Sequence, residues 1–179
     1  MVGENGAGKS TLMKVLAGIY NKDGGTIRYK GREIEIRNPK EAQNLGIGMI
    51  HQELNLMPHL TVAENIYIGR EQMIGPFLDN KRTNDEAHAL LESLNIHLNP
   101  KIKIRDISVA KQQMVEIAKA LSFKSEVLIM DEPTAALTEW EIEDLFRFIR
   151  DLKAQGVGIV YITHRIDELK KISDRITVM

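Results

Sequence analysis

Short apolar runs rich in β-branched residues alternate along the chain with stretches whose apolar positions recur at helical spacing. This predicts an α/β domain rather than a bundle or a sandwich. The runs at residues 47–50, 127–130 and 158–162 are bounded by polar residues, as expected of strands buried on both faces of a mainly parallel sheet. Residues 175–179 read as one more strand. Residues 26–29 and 33–37 flank Lys30-Gly31-Arg32 and predict a hairpin, entered by a turn at Asp23-Gly24-Gly25. Helices are expected from Ser10 to Gly18, after Thr61, and after Asn38-Pro39, where Asn caps and Pro takes the first helical position. The stretch 51–60 reads as a loop. Thr83-Asn84-Asp85-Glu86 has capping-box form ahead of Ala87, Leu90, Leu91 and Leu94, and predicts a helix starting there. Thr138 and Glu141 repeat that form ahead of Ile142, Leu145, Phe146, Ile149 and Leu152, in a helix ending near Gly156.

Composition narrows the setting. The 179 residues suffice for one globular domain, or a large piece of one. With 43% hydrophobic and 27% charged residues and a net charge of -1, neither disorder nor a strongly basic nucleic-acid surface is indicated. The cations Lys30, Arg32, Lys101, Lys103 and Arg105 are dispersed among acids and not interleaved with aromatics. The apolar runs fall far short of the roughly 20 residues that span a bilayer. The absence of Cys excludes disulfides and thiolate metal sites, and no charged-then-apolar leader opens the chain, so a cytosolic setting is the default. His51, His59, His88 and His97 have no metal-ligand spacing. A glycine-rich loop at the first residues, and a strand at 175–179 with no turn after it, read as a chain cut at both ends.

Candidate chemistry begins at Gly3-Glu4-Asn5-Gly6-Ala7-Gly8-Lys9-Ser10-Thr11, which fits G-x-x-x-x-G-K-[ST] with an apolar helix directly behind it. Glycines there let backbone N–H groups converge on phosphate oxygens, and the helix N-terminus adds a favourable dipole. Lys9 would neutralise terminal phosphates, Ser10 would offer a hydroxyl to Mg²⁺, and Thr11 could bond a phosphate oxygen. Asp131 and Glu132 follow the buried run 127–130 and so sit at the carboxyl end of a strand, where open α/β sheets bind ligands. Asp131 would hold Mg²⁺ through water and Glu132 would polarise the water that attacks the γ-phosphorus. Thus far the residues support a nucleoside triphosphatase with a phosphate-binding loop and nothing narrower.

The segment Asp131-Glu132-Pro133-Thr134-Ala135-Ala136-Leu137, with His164 after the run at 158–162 and Gln52 after the run at 47–50, resembles the ATP-binding cassette (ABC) ATPases over essentially the whole chain. The resemblance implies one ATPase domain over residues 1–179, with a helical subdomain at about 61–122 carrying a signature motif. It implies that Gln52 reaches Mg²⁺ and the attacking water, and that His164 bonds the γ-phosphate and positions that water. The signature, usually Leu-Ser-Gly-Gly-Gln, is here Ile107-Ser108-Val109-Ala110-Lys111-Gln112-Gln113. Ser108 is retained and is implied to complete the nucleotide site of an opposing domain, while Val109 and Ala110 replace both glycines. The stretches ISVAKQQMVEIAKAL and HLTVAENIYIGRE are similar to the ribose and galactoside class of sugar-import ATPases, in the first of two tandem domains. For that class the resemblance implies ATP and Mg²⁺ and a peripheral position on the cytoplasmic face of the bacterial membrane. Implied partners are a second nucleotide-binding domain, membrane subunits docked along residues 52–70 and, indirectly, an external sugar-binding protein, with no nucleic acid. Trp140 and Tyr161 could stack on adenine, although in that family the stacking aromatic lies upstream of the loop. The alternatives are a non-transport ABC ATPase acting on ribosomes or DNA, and a piece inactive alone.

Overall fold

Residues 1–4 and 6–179 are described by a computed structural model. In chain order the elements are α1 (Lys9–Leu16), β1 (Ile27–Tyr29), β2 (Arg32–Ile34), α2 (Pro39–Asn44), β3 (Ile47–Ile50), α3 (Val62–Tyr67), β4 (Met73–Ile74), β5 (Phe77–Leu78), α4 (Asn80–Ser93), α5 (Val109–Leu121), β6 (Val127–Asp131), α6 (Glu139–Ala154), β7 (Gly158–Ile162) and α7 (Ile166–Ile172). A 3₁₀ turn at Ile104–Asp106 precedes α5.

The three expected sheet strands form a parallel sheet in the order β3-β6-β7, with Ile47 opposite Val127 and Val127 opposite Gly158. Alternation along β6 explains why it is apolar throughout. Leu128 and Met130 enter one core with side chains of α3, α4, α5 and α6, whereas Ile129 enters a second core with Met13 of α1 and Ala42 of α2. The sheet is therefore an α/β layer covered on both faces, and the carboxyl ends of β3 and β6 are left free to present Gln52, Asp131 and Glu132.

Several elements start where their caps dictate. Asn38 accepts from Glu41 N at the start of α2, and Thr61 and Thr138 form capping boxes with Glu64 and Glu141. Two expectations need correction. The helix placed at Thr83 starts earlier, because Asp79 accepts from Arg82 N, and the Thr83 hydroxyl instead donates to the Asp79 carbonyl within the helix. Residues 175–179 form no regular strand. They meet the chain's start in a single parallel bridge, Val2 opposite Val178, with Val2 N donating to Thr177 O and Met179 N to Val2 O. Among the described residues no helix is long and apolar enough to cross a membrane.

Gly18 fixes the return from α1 toward α2. Its φ is +70°, and a Cβ there would lie 2.4 Å from the Asn38 carbonyl oxygen, a backbone atom that cannot step aside. Gly18→Ala is expected to destabilise the fold by about 3 kcal/mol, from combined left-handed strain and overlap. Thermal unfolding followed by circular dichroism should show a midpoint lower by roughly 6–12 °C. An unchanged midpoint would mean that the turn rearranges freely.

Candidate functional site

The loop before α1 takes its shape from glycine. Gly6 and Gly8 have φ of +87° and +88°, left-handed values that cost other residues energy. Gly8 is also the residue that opens α1, so the helix N-terminus faces the loop. Gly3 matters for close approach instead. A Cβ there would lie 2.4 Å from the Met179 carbonyl oxygen, so its backbone packs directly on the returning segment. Asn5 was expected to contribute a backbone N–H and lies outside the described residues.

Lys9 is buried at 5% exposure, and its ammonium donates to the carbonyls of Gly3 and Glu4, each at 2.9 Å. Ala7 N also donates to Glu4 O, so the loop is closed on itself by its own donors. An ammonium has three N–H groups, and these two bonds use two of them among the described residues. Ser10, one residue further along α1, donates its hydroxyl to Asp131 Oδ1 at 2.9 Å. This contact joins the helix after the loop to the end of β6, two segments separated by more than a hundred residues of sequence.

Glu132 follows with φ of +47°, a left-handed value at a non-glycine residue. Its N–H donates to Ile162 O at 3.0 Å, which pins the turn to the end of β7. Such strain persists only where the surroundings over-determine it, and it marks candidate functional positions. The carboxylate then receives two side chains. Gln52 Nε2 donates to Oε2 at 3.4 Å, and His164 Nδ1 lies 3.1 Å from Oε1. A carboxylate only accepts, so Nδ1 carries the proton in this arrangement and Nε2 is left to face other groups. Gly6, Gly8, Lys9, Ser10, Thr11, Gln52 and Glu132 line one open cleft of about 350 Å³.

The structure thus brings together Gln52, Glu132 and His164 through one set of contacts, and Ser10 and Asp131 through another, with Ser10, Gln52 and Glu132 lining the same cleft. The oxygen donors Ser10 Oγ, Asp131 Oδ1 and the Gln52 side-chain carbonyl are hard ligands of the kind Mg²⁺ prefers. The backbone N–H groups at Gly6 and Gly8, together with Lys9, suit an anion. Ser108 stands apart. It is exposed, caps α5 by accepting from Lys111 N at 3.4 Å, and does not line the cleft. Neither aromatic considered for a base lies there: Tyr161 is buried in the core and Trp140 stands 68% exposed elsewhere.

Sequence reasoning missed Asn65, which is fully buried on α3. Its amide donates to the carbonyls of Met57 and Thr61 and its oxygen accepts from Met57 N, which fixes the loop that follows Gln52. An amide set among Val62, Ala63 and Ile66 was the signal. Asn55 N, nearer Gln52, donates to Glu116 of α5 at 2.6 Å, so that loop is tied to two helices.

A model of the ABC transporter family matches residues 1–135. Over its whole length the chain is 60% identical to a putative ribose/galactose/methyl galactoside import ATP-binding protein of Burkholderia cenocepacia, and covers 35% of that protein. It is also 60% identical to one of the same description in Albidiferax ferrireducens, covering 36% of it. The chain therefore spans about a third of the length of the curated relatives it matches. Among solved structures, a nucleotide-free ATP-binding cassette from an ABC transporter superposes with a TM-score of 0.83 at 28% identity, over 99% of this chain and 74% of that one. A structure of the ADP conformation of an ATP-binding cassette of an ABC transporter gives 0.83 at 29% identity, over 99% and 74% of the two chains.

Proposed function

The chain belongs to the ABC transporter family, and on that premise we propose that it forms the ATP-binding and ATP-hydrolysing part of an importer of a ribose- or galactose-like sugar. One observation carries the nucleotide half of this reading: the loop before α1 and the end of β6 meet at one cleft, where Ser10 touches Asp131. The sugar half rests on the likeness to proteins named for ribose, galactose and methyl galactoside import.

Gly6 and Gly8 offer backbone N–H groups to the phosphates, Lys9 its charge, and Thr11 its hydroxyl. Ser10, Gln52 and, through water, Asp131 would hold Mg²⁺, which when bound would offset the charge of the terminal phosphates. Glu132 accepts a proton from the attacking water as that water closes on the γ-phosphorus, and ADP and phosphate are the products. Gln52 and His164 flank the same carboxylate and so hold that water from both sides. Ser108, exposed at the start of α5, contributes to the site of an opposing nucleotide-binding domain, within a helical subdomain at about 61–122. Membrane subunits dock along residues 52–70, on the cytoplasmic face of the membrane, and the sugar does not contact this chain.

Mg²⁺ dependence provides the test. ATP affinity is expected to rise roughly tenfold or more on adding Mg²⁺, with Asp131→Ala erasing the rise. Cells carrying that substitution should lose uptake of labelled ribose and galactose. Uptake that persists would assign this motor to another cargo, and Mg²⁺-independent ATP binding would remove Asp131 from the metal site.

A further inference from the structure

Glu168 is a carboxylate with no place in the chemistry described so far, yet it is only 4% exposed. A buried carboxylate is costly unless its oxygens are well supplied with donors. Here the supply comes from both segments that carry the proposed water-positioning groups. Thr134, two residues after Glu132, donates its hydroxyl to Oε1 at 2.8 Å. Thr163, the residue before His164, donates to Oε2 at 2.8 Å, and Tyr161 donates its phenol to the same oxygen at 2.9 Å. Arg165 completes the set with NH1 at 3.1 Å from Oε1. Burial above all pushes the Tyr161 phenol well above its ordinary range, so it remains a donor.

The carboxylate thus bridges the two segments. Oε1 takes both Thr134, in the turn after Glu132, and Arg165, just past His164, while Oε2 holds the segment leading into His164. Thr163 also accepts from Arg165 N at 3.0 Å, which fixes the chain's path just beyond His164. Well-packed apolar residues often stabilise such a position as well, so the interest of this carboxylate lies in the segments it joins.

We propose that Glu168 is a positioning residue that links the turn bearing Glu132 to the segment bearing His164, and so sets the distance between those two side chains. The proposal rests on the ATP-hydrolysis reading for its consequence in turnover, while the linkage itself is a property of the fold. It goes beyond the roles of Glu132 and His164 by naming what holds them in register.

Hydrogen exchange of backbone amides, followed by mass spectrometry, tests the link directly. Glu168→Ala is expected to accelerate exchange about tenfold in residues 132–137 and 163–166 together. Thr134→Val should loosen only the first segment and Thr163→Val only the second, with α6 unchanged in all three. On the protein at its natural length, Glu168→Ala should lower kcat by about a hundredfold while ATP affinity stays within about threefold of the parent. Glu168→Gln keeps the shape but only one of the two acceptor oxygens, and should recover only part of the lost kcat. Loosening spread over the whole sheet, with affinity and kcat falling together, would overturn the proposal. So would full turnover in Glu168→Ala. The nucleotide reading fails by a separate sign, the absence of Mg-ATP protection at residues 6–11 of the parent. In that event the exchange pattern of the two segments still decides the link.

Discussion

Glu132→Gln is expected to keep Mg-ATP binding within about threefold of the parent and to lower the hydrolysis rate about 10²- to 10⁴-fold, the range that a positioned general base contributes. The substitution is nearly isosteric, and the geometry around it should survive. The side-chain oxygen of Gln can still accept from His164 Nδ1, and a turn of the Gln52 amide lets its oxygen accept from the new NH2 in place of the 3.4 Å contact. The turn is held by backbone, through Glu132 N to Ile162 O and Ala135 N to Glu132 O, so it does not depend on the carboxylate. What is lost is the ability to take a proton from water. Single-turnover hydrolysis by the protein at its natural length, with ATP affinity measured in parallel, separates these quantities. A rate equal to the parent's would remove Glu132 from the chemistry, whereas a fall in affinity and rate together would make it a binding residue.

The parts of this site that could be read in the sequence are those whose partners are near in sequence or whose pattern has a strict period. The loop at residues 3–11 and the apolar run ending in Asp131-Glu132 both belong to that class. Their meeting could be expected only from where parallel strands end, and the Ser10–Asp131 contact makes it explicit. The start of α4 was obscured because Asn80, Lys81 and Arg82 carry no apolar residue to signal the helical period, and Thr83 with Glu86 mimics a cap. The β4–β5 hairpin gave no alternation, since Met73, Ile74, Phe77 and Leu78 are all exposed on two-residue strands that pair only with each other. Glu168 was invisible for a third reason. Its helix is seven residues long, and three of its donors, Thr134, Tyr161 and Thr163, come from segments that only the sheet brings together.

Mg-ATP at about 100 times its Kd should stabilise the parent by about 2.7 kcal/mol, a rise in unfolding midpoint of roughly 5–10 °C for a domain of this size, and Lys9→Met should abolish that rise. The two effects of this substitution need to be kept apart. In the free protein the ammonium closes the loop through the Gly3 and Glu4 carbonyls, so its loss lowers the basal midpoint even without nucleotide. Methionine fills the buried stem's volume and limits that loss to the polar end of the side chain. The nucleotide-dependent rise is measured against each variant's own baseline, and it reports only the interaction of the site with its ligand. If Lys9→Met lowers the baseline yet retains the full rise, the lysine is a loop clasp and the phosphates are held by backbone alone. A parent whose cooperative transition ignores Mg-ATP would leave the loop a glycine-shaped turn that binds no nucleotide, and with it would go the roles given to Ser10, Asp131 and Glu132. Loss of the rise is expected because the Lys9 ammonium sits in the loop that shapes the anion site, where its full positive charge adds to the backbone N–H groups of Gly6 and Gly8.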